Sequence, residues 1–296
     1  MIQVRRLGHA TFETPDLDKA IGHYTQVGGL VVAAREKDRA FLATQLGQLA
    51  IELIKGPAAQ CVRLSFEVAP DSDFGELGRA LSAHGVKSDP RNDALPGVGR
   101  MLSLHDPKGT AIDLFSEWKT VPVEQPSSGV PSLKLGHLAF VVPDPKPIAK
   151  FYQEVLGFRM SDWIEDFFVF LRCNADHHVI NFIQGTKVTM HHMAFELQDF
   201  SRIQGACELL GQRRIPIAWG PVRRGPGHNV AIFHRNADDQ MIEFYAELDQ
   251  MKDEALGYFE PRPWHRDKPQ RPKVWARTDN YIWGPPPTPE FLRARV

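Results

Sequence analysis

A segment near the start of the chain returns near its middle. LGHATFETPDLDKAIGHYTQVGGL at 7–30 and LGHLAFVVPDPKPIAKFYQEVLGF at 135–158 match His9 with His137, Pro15-Asp16 with Pro143-Asp144, Tyr24 with Tyr152 and Gly29 with Gly157, each pair 128 positions apart. Self-similarity of this kind fixes the architecture before any motif is read. The parallel continues between CVRLSFEV (61–68) and HHMAFEL (191–197), and between AIDLFSEW (111–118) and MIEFYAEL (241–248). A tandem duplication follows, with an N-terminal unit at 1–120 and a C-terminal unit at 133–248. The linker between them, VPVEQPSSGVPS, is rich in the Pro, Ser and Gly that punctuate structure.

Each unit itself divides into two similar halves. An apolar strand-like run (HLAFVV, HMAFEL) is followed by a stretch with apolar residues at helical spacing (IAKFYQEVL, IQGACELL), then by short runs rich in β-branched and aromatic residues (FFVFLRC, NVAIFH, MIEFY). The pattern predicts an α+β protein in which a β-α-β-β-β module occurs four times, two modules to each domain. Residues 249–296 differ in kind: eight prolines and Trp264, Trp275 and Trp283 exclude long helices and central strands, yet so many aromatics are unusual for a disordered tail. An irregular arm packed on the body, or on a neighbouring subunit, is expected there.

His137 opens an apolar strand in the first half of the second unit, His192 takes the equivalent place in its second half, and Glu243 lies on that half's final strand. Two imidazoles and one carboxylate form the triad associated with non-haem Fe(II), which leaves open positions for substrate and oxygen. A single strand histidine is more often a satisfied core residue than a ligand. The repeat changes the weighing, because pseudo-symmetry would bring two homologous positions together. In the first unit the equivalents are His9, Arg63 and Asp113, and an arginine only donates hydrogen bonds. One metal site per chain is predicted, in the C-terminal unit.

At these residues the sequence resembles the type I extradiol catechol dioxygenases of the vicinal oxygen chelate superfamily. The matching strings are LGHLAFVVPD, FLRCNADHHVINF, HHMAFEL, GPVRRGPGHN and MIEFYAEL, and the resemblance spans roughly residues 5 to 248. It implies four β-α-β-β-β modules paired into cup-shaped half-barrels, with Fe(II), or alternatively Mn(II), held by His137, His192 and Glu243. It implies cleavage of a catechol-type aromatic diol with O2, and a homo-oligomeric assembly. A further histidine that handles oxygen or protons in such enzymes maps onto the His177-His178 pair, with alignment favouring His178. Where the family has an acid/base histidine this chain has Arg224, and where a tyrosine follows it has Phe233; His228 and His234 lie close by as substitutes. The candidate catalytic set is therefore His178, Arg224 and His228. Two other readings stay open: a different metal-dependent reaction on the same scaffold, such as isomerisation, epimerisation or hydrolysis, with Arg224 clamping an anionic substrate, and a non-catalytic protein that binds an aromatic ligand.

Composition sets the remaining bounds. A formal net charge of -1 gives no broad field for nucleic acid or an anionic membrane. No run approaches the roughly 18 apolar residues of a membrane span, and MIQVRRLGHATFETPD lacks a signal-peptide pattern. Cys61, Cys173 and Cys207 form neither a disulfide framework nor a C-x-x-C pair, so a reducing cytoplasm is expected.

Overall fold

The structure, a computed structural model, describes residues 2–92, 95–123 and 128–293; of the linker, residues 124–127 lie outside the described residues. The first module runs β1 (Arg6–Thr14), α1 (Leu17–Gln26), β2 (Val31–Arg35), β3 (Arg39–Ala43) and β4 (Leu49–Lys55). The second runs β5 (Gln60–Glu67), α2 (Phe74–Ala83), β6 (Ser88–Arg91), β7 (Met101–His105) and β8 (Ala111–Phe115). The third comprises β9 (Lys134–Val142), α3 (Pro145–Glu154), β10 (Arg159–Ile164), β11 (Phe168–Arg172) and β12 (Ile180–Gln184). The fourth comprises β13 (Thr189–Glu196), α4 (Phe200–Gln212), β14 (Ile217–Arg224), β15 (Val230–Arg235) and β16 (Met241–Ala246). The α+β module expected from the repeat thus occurs four times.

The same local chemistry starts the helix of each module. Asp16, Asp73, Asp144 and Asp199 are N-caps, and each carboxylate accepts a backbone N–H from the first turn, satisfying a donor that the helix itself cannot. The repeated Pro-Asp dipeptide in the sequence is this cap. The last turns of the first and third modules' helices are closed by Gly29 and Gly157, with φ of 69° and 76°, a region that favours residues without a Cβ.

Within each unit, the first and last strands of a module run parallel (β1/β4, β5/β8, β9/β12, β13/β16), and the two modules join where their first strands pair antiparallel (β1/β5, β9/β13). The sheet orders are β2-β3-β4-β1-β5-β8-β7-β6 and, for the inner eight strands of the second unit, β10-β11-β12-β9-β13-β16-β15-β14. Side chains alternate across each strand. Leu138, Phe140, Phe182, Met193, Phe195, Ile242 and Phe244 pack with Ile148, Tyr152, Ile203 and Leu210 of the helices in one core. The residues between them face the other side of the sheet, and these carry the site. The two units also exchange hydrogen bonds: Tyr152 donates to Asp106 Oδ2 at 2.9 Å, and Asn236 Nδ2 donates to the Tyr24 hydroxyl at 3.2 Å.

The proline-rich arm is more ordered than an irregular segment. β17 (Met251–Asp253) and β18 (Tyr258–Phe259) pair with each other, while β19 (Lys273–Trp275) adds to β10 and β20 (Tyr281–Trp283) adds to β14. Proline is tolerated in edge positions, and strands this short fit between the prolines. Both edges of the C-terminal sheet are thereby covered.

Candidate metal centre

Two rows of side chains cross the inner face of the C-terminal sheet. Register places His137 (β9), Ala194 (β13), Glu243 (β16), Phe233 (β15) and Trp219 (β14) in one row. The next row holds Phe170 (β11), Asn181 (β12), Ala139 (β9) and His192 (β13). A register shift between Met190 and His192 is the kind of bulge that re-aims a side chain beside a site.

The three predicted ligands converge. His137 Nε2 lies 3.1 Å from Glu243 Oε2, His192 Nε2 lies 3.1 Å from the same oxygen, and the two nitrogens are 3.3 Å apart. Ligand atoms about 2.1 Å from one ion, at right angles, are about 3 Å apart, so the donor set fits a divalent cation. All three residues are buried. Burial pushes the Glu243 carboxyl up, but the His137 and His192 imidazoles outweigh it and hold the group well below the usual carboxylate range. Burial lowers the pKa of His192, against the pull of Glu243. Neutral imidazole and ionised carboxylate are the ligating forms.

Neighbours hold these groups in place, as metal ligands require. Asn229 Nδ2 donates to Glu243 Oε1 at 2.7 Å, and His191 and His192 share a hydrogen bond between their Nδ1 atoms at 2.7 Å. A Cβ on Gly136 would sit 1.8 Å from the Tyr245 hydroxyl; glycine there lets the tyrosine ring back His137 at 5.0 Å between centroids.

The cavity beside the set is lined by Phe168, Phe170, His178, Asn181, Arg224 and Pro226. His177 and His178 sit in the loop before β12 rather than on the strand, so both can be buried side by side. The His178 ring lies 4.3 Å from that of His137, whereas His177 turns away and hydrogen-bonds Asp162 Oδ2 through Nε2 at 2.9 Å. Burial, reinforced by the His137 and His177 imidazoles, drops the His178 pKa well below the usual value. Arg224 stacks on Trp219 at 4.6 Å and donates to Asn280 Oδ1 at 2.9 Å. Phe233 packs against His192 at 5.7 Å.

His228 is placed elsewhere. Its Nδ1 pairs with Asp249 Oδ2 at 2.7 Å, the other oxygen of Asp249 takes His265 Nε2 at 2.9 Å, and His228 lines a separate pocket with Trp275 and Tyr281. His234 is wholly buried against His23, with ring centroids 5.5 Å apart, on the face away from the ligands. Asn181, Asn229 and His191 were not singled out from the sequence. The only signal for them is strand alternation around the ligands, which is weak without the register.

Residues 134–248 match the model of the Glyoxalase/Bleomycin resistance protein/Dioxygenase superfamily. The 3-methylcatechol 2,3-dioxygenase of Pseudomonas putida is 25% identical over 265 residues, covering 82% of this chain and 86% of that protein. The 2,2',3-trihydroxybiphenyl dioxygenase of Sphingomonas paucimobilis is 25% identical over 302 residues, covering 93% of this chain and 97% of that protein. Among solved structures, homoprotocatechuate 2,3-dioxygenase from Brevibacterium fuscum superposes with a TM-score of 0.81 at 22% identity, covering 99% of this chain and 92% of that one.

Proposed function

We propose that this protein is an Fe(II)-dependent extradiol dioxygenase that opens the ring of a catechol-type aromatic diol with O2. The carrying observation is the convergence of His137, His192 and Glu243 on one point beside an aromatic-walled cavity. The names of the relatives, all dioxygenases of aromatic diols, support the same reading. Three protein ligands on one side leave the other side for substrate. When bound, the ion lowers the pKa of the diol hydroxyls and holds both reactants in contact.

The chain's own groups supply the proton handling. Asp162 accepts hydrogen bonds from Lys273 N at 2.8 Å, Trp275 Nε1 at 2.6 Å and His177 Nε2 at 2.9 Å. With Nε2–H donating to Asp162, the other ring nitrogen of His177, Nδ1, is left to accept and lies 3.0 Å from His178 Nδ1. That nitrogen of His178 must then carry its proton, and its Nε2 keeps a lone pair in the cavity wall to take a proton from a diol hydroxyl. Arg224 holds its charge throughout the cycle and stabilises negative charge that builds on the substrate. His228, tied to Asp249 outside the cavity, is assigned to support of the arm rather than to proton transfer. The reading extends to a cytoplasmic homo-oligomer with one site per copy, as the resemblance to extradiol dioxygenases implies.

The test is anaerobic purification, loading with Fe(II), and a screen of catechols for oxygen uptake and the absorbance of ring-opened products. Turnover that consumes oxygen one-for-one with diol is expected. Turnover of a substrate without oxygen would instead select an isomerase or hydrolase, and an iron-loaded protein inert across a broad panel would end the dioxygenase proposal.

A further inference from the structure

Asn181 is completely buried, lines the same cavity as the three ligands, and has no hydrogen-bond partner for either Nδ2 or Oδ1 among the described residues. Buried amides left unpaired are rare and call for an explanation. The row it occupies supplies one. Asn181 and His192 sit on strands separated only by β9, their backbones about 10 Å apart, and the residue between them is Ala139. A methyl group neither fills the gap nor offers the amide a partner.

The first unit shows how the same register is closed when nothing is to be bound. There Thr11 takes the place of Ala139, Glu52 that of Asn181 and Phe41 that of Phe170. Thr11 Oγ1 donates to Glu52 Oε2 at 2.7 Å, and Arg39 meets the other oxygen at 3.4 Å. The position is polar in both units, but only in the second does it lack a hydrogen-bond partner among the described residues.

The chemistry of that ligand can be read from the amide. It offers N–H donors and an acceptor oxygen side by side, so a hydroxyl, which both donates and accepts, complements it; a carboxylate would meet Nδ2 but face the lone pairs of Oδ1. Phe168 and Phe170, 4.4 Å apart between centroids, form an apolar wall of the cavity beside it. We propose that Asn181 sets substrate choice, selecting an aromatic diol whose ring carries a further hydroxyl. The inference rests on the aromatic-diol reading above and names a substrate class within it. A site that pairs its buried polar groups with a substrate hydroxyl discriminates strongly against the analogue that lacks it.

The experiment is anaerobic calorimetric titration of metal-loaded wild type, Asn181→Ala and Asn181→Leu with 1,2-dihydroxybenzene and with 1,2,3- and 1,2,4-trihydroxybenzene. Metal content and thermal midpoint are recorded for each protein. Wild type is expected to prefer one trihydroxy compound by at least about tenfold, and the preference should fall to near one in both variants while affinity for the plain diol holds or rises. Comparing ratios between proteins cancels differences in the intrinsic acidity of the phenols. Metal content should be unchanged and the midpoint no lower, since both variants remove an unsatisfied amide. An unchanged preference in the variants would overturn the role of Asn181, as would a loss of bound metal, which would tie the amide to the ion instead. If wild type bound none of the three, the substrate class named here would fall, while oxygen uptake with other catechols of the broad panel would leave the aromatic-diol reading standing.

Discussion

The two units of this protein carry the same rows on the same sheet and finish them in opposite ways. His137–Ala194–Glu243 in the second unit corresponds by register to His9–Ser65–Asp113 in the first, and Ala139–His192 corresponds to Thr11–Arg63. In the first unit, Ser65 hydrogen-bonds His9 Nδ1 at 2.9 Å, Arg63 reaches Asp113 Oδ1 at 2.5 Å, and Arg91 binds the other Asp113 oxygen. Hydroxyl and guanidinium groups thus occupy His9 Nδ1 and both Asp113 oxygens, leaving His9 Nε2 without a partner among the described residues. In the second unit, alanines stand at both intervening positions, and the polar groups converge on a point instead of on each other. The lesson is that a metal site here depends as much on the small residues between the ligands as on the ligands.

The largest expected effect tests which rows can hold an ion. His192→Ala should abolish stoichiometric metal binding, measured by elemental analysis after anaerobic loading, whereas Arg63→Ala should leave one ion per chain. Equal metal content in the two variants would refute the assignment. Arg63→His sharpens the contrast: Arg91 still occupies Asp113 and Ser65 still occupies His9, so the content should stay at one, and a second ion would show that the ligands alone suffice.

Asp113→Ala comes next. It removes the buried partner of two arginines, and breaking a buried pair in this way costs about 3 kcal/mol or more. Chemical denaturation should show that loss with metal affinity unaltered, and a variant as stable as wild type would mean that the arginines are solvated without it.

A smaller effect separates the units by pH. Burial, helped by Arg91 and Arg63, lowers the pKa of His9 to about 3, and burial lowers that of His234 to about 3. In the unfolded chain both return to about 6.5. Between these values the unfolded state binds more protons, so stability contributed by the neutral rings is complete above about 6.5 and is lost as pH falls toward 3. His9→Gln, which keeps a donor and an acceptor, should flatten the fall in thermal midpoint across that window. An unchanged slope would show that His9 does not titrate there.

Much of this was legible in the residues themselves. A separation of 128 positions between two copies needed no coordinates, because duplicated sequence implies duplicated structure. The four modules followed from period-2 and helical spacing, and the pairing of His137 with His192 as candidates from homologous places in successive halves. The capping role of Asp16 and Asp144 was visible only as a repeated dipeptide, since a cap is a matter of backbone dihedrals. The arm packs on the body as expected, but proline density gave no sign of the short strands between the prolines that pair with the sheet edges, a pairing set by partners 111 residues away for β19 and 57 to 60 for β20.

Sequence alone determined which chemical groups the chain owns and which of them recur in equivalent places, because both are properties of residue identity and spacing. Only the folded sheet decided what lies between those groups. That His178 faces the ligands while His177 turns to Asp162, that His228 is withdrawn to Asp249, and that Asn181 stands unpaired across Ala139 from His192 all depend on cross-strand register. Register is a relation between distant segments, and it fixes which side chains share a face and which are left with nothing to bond.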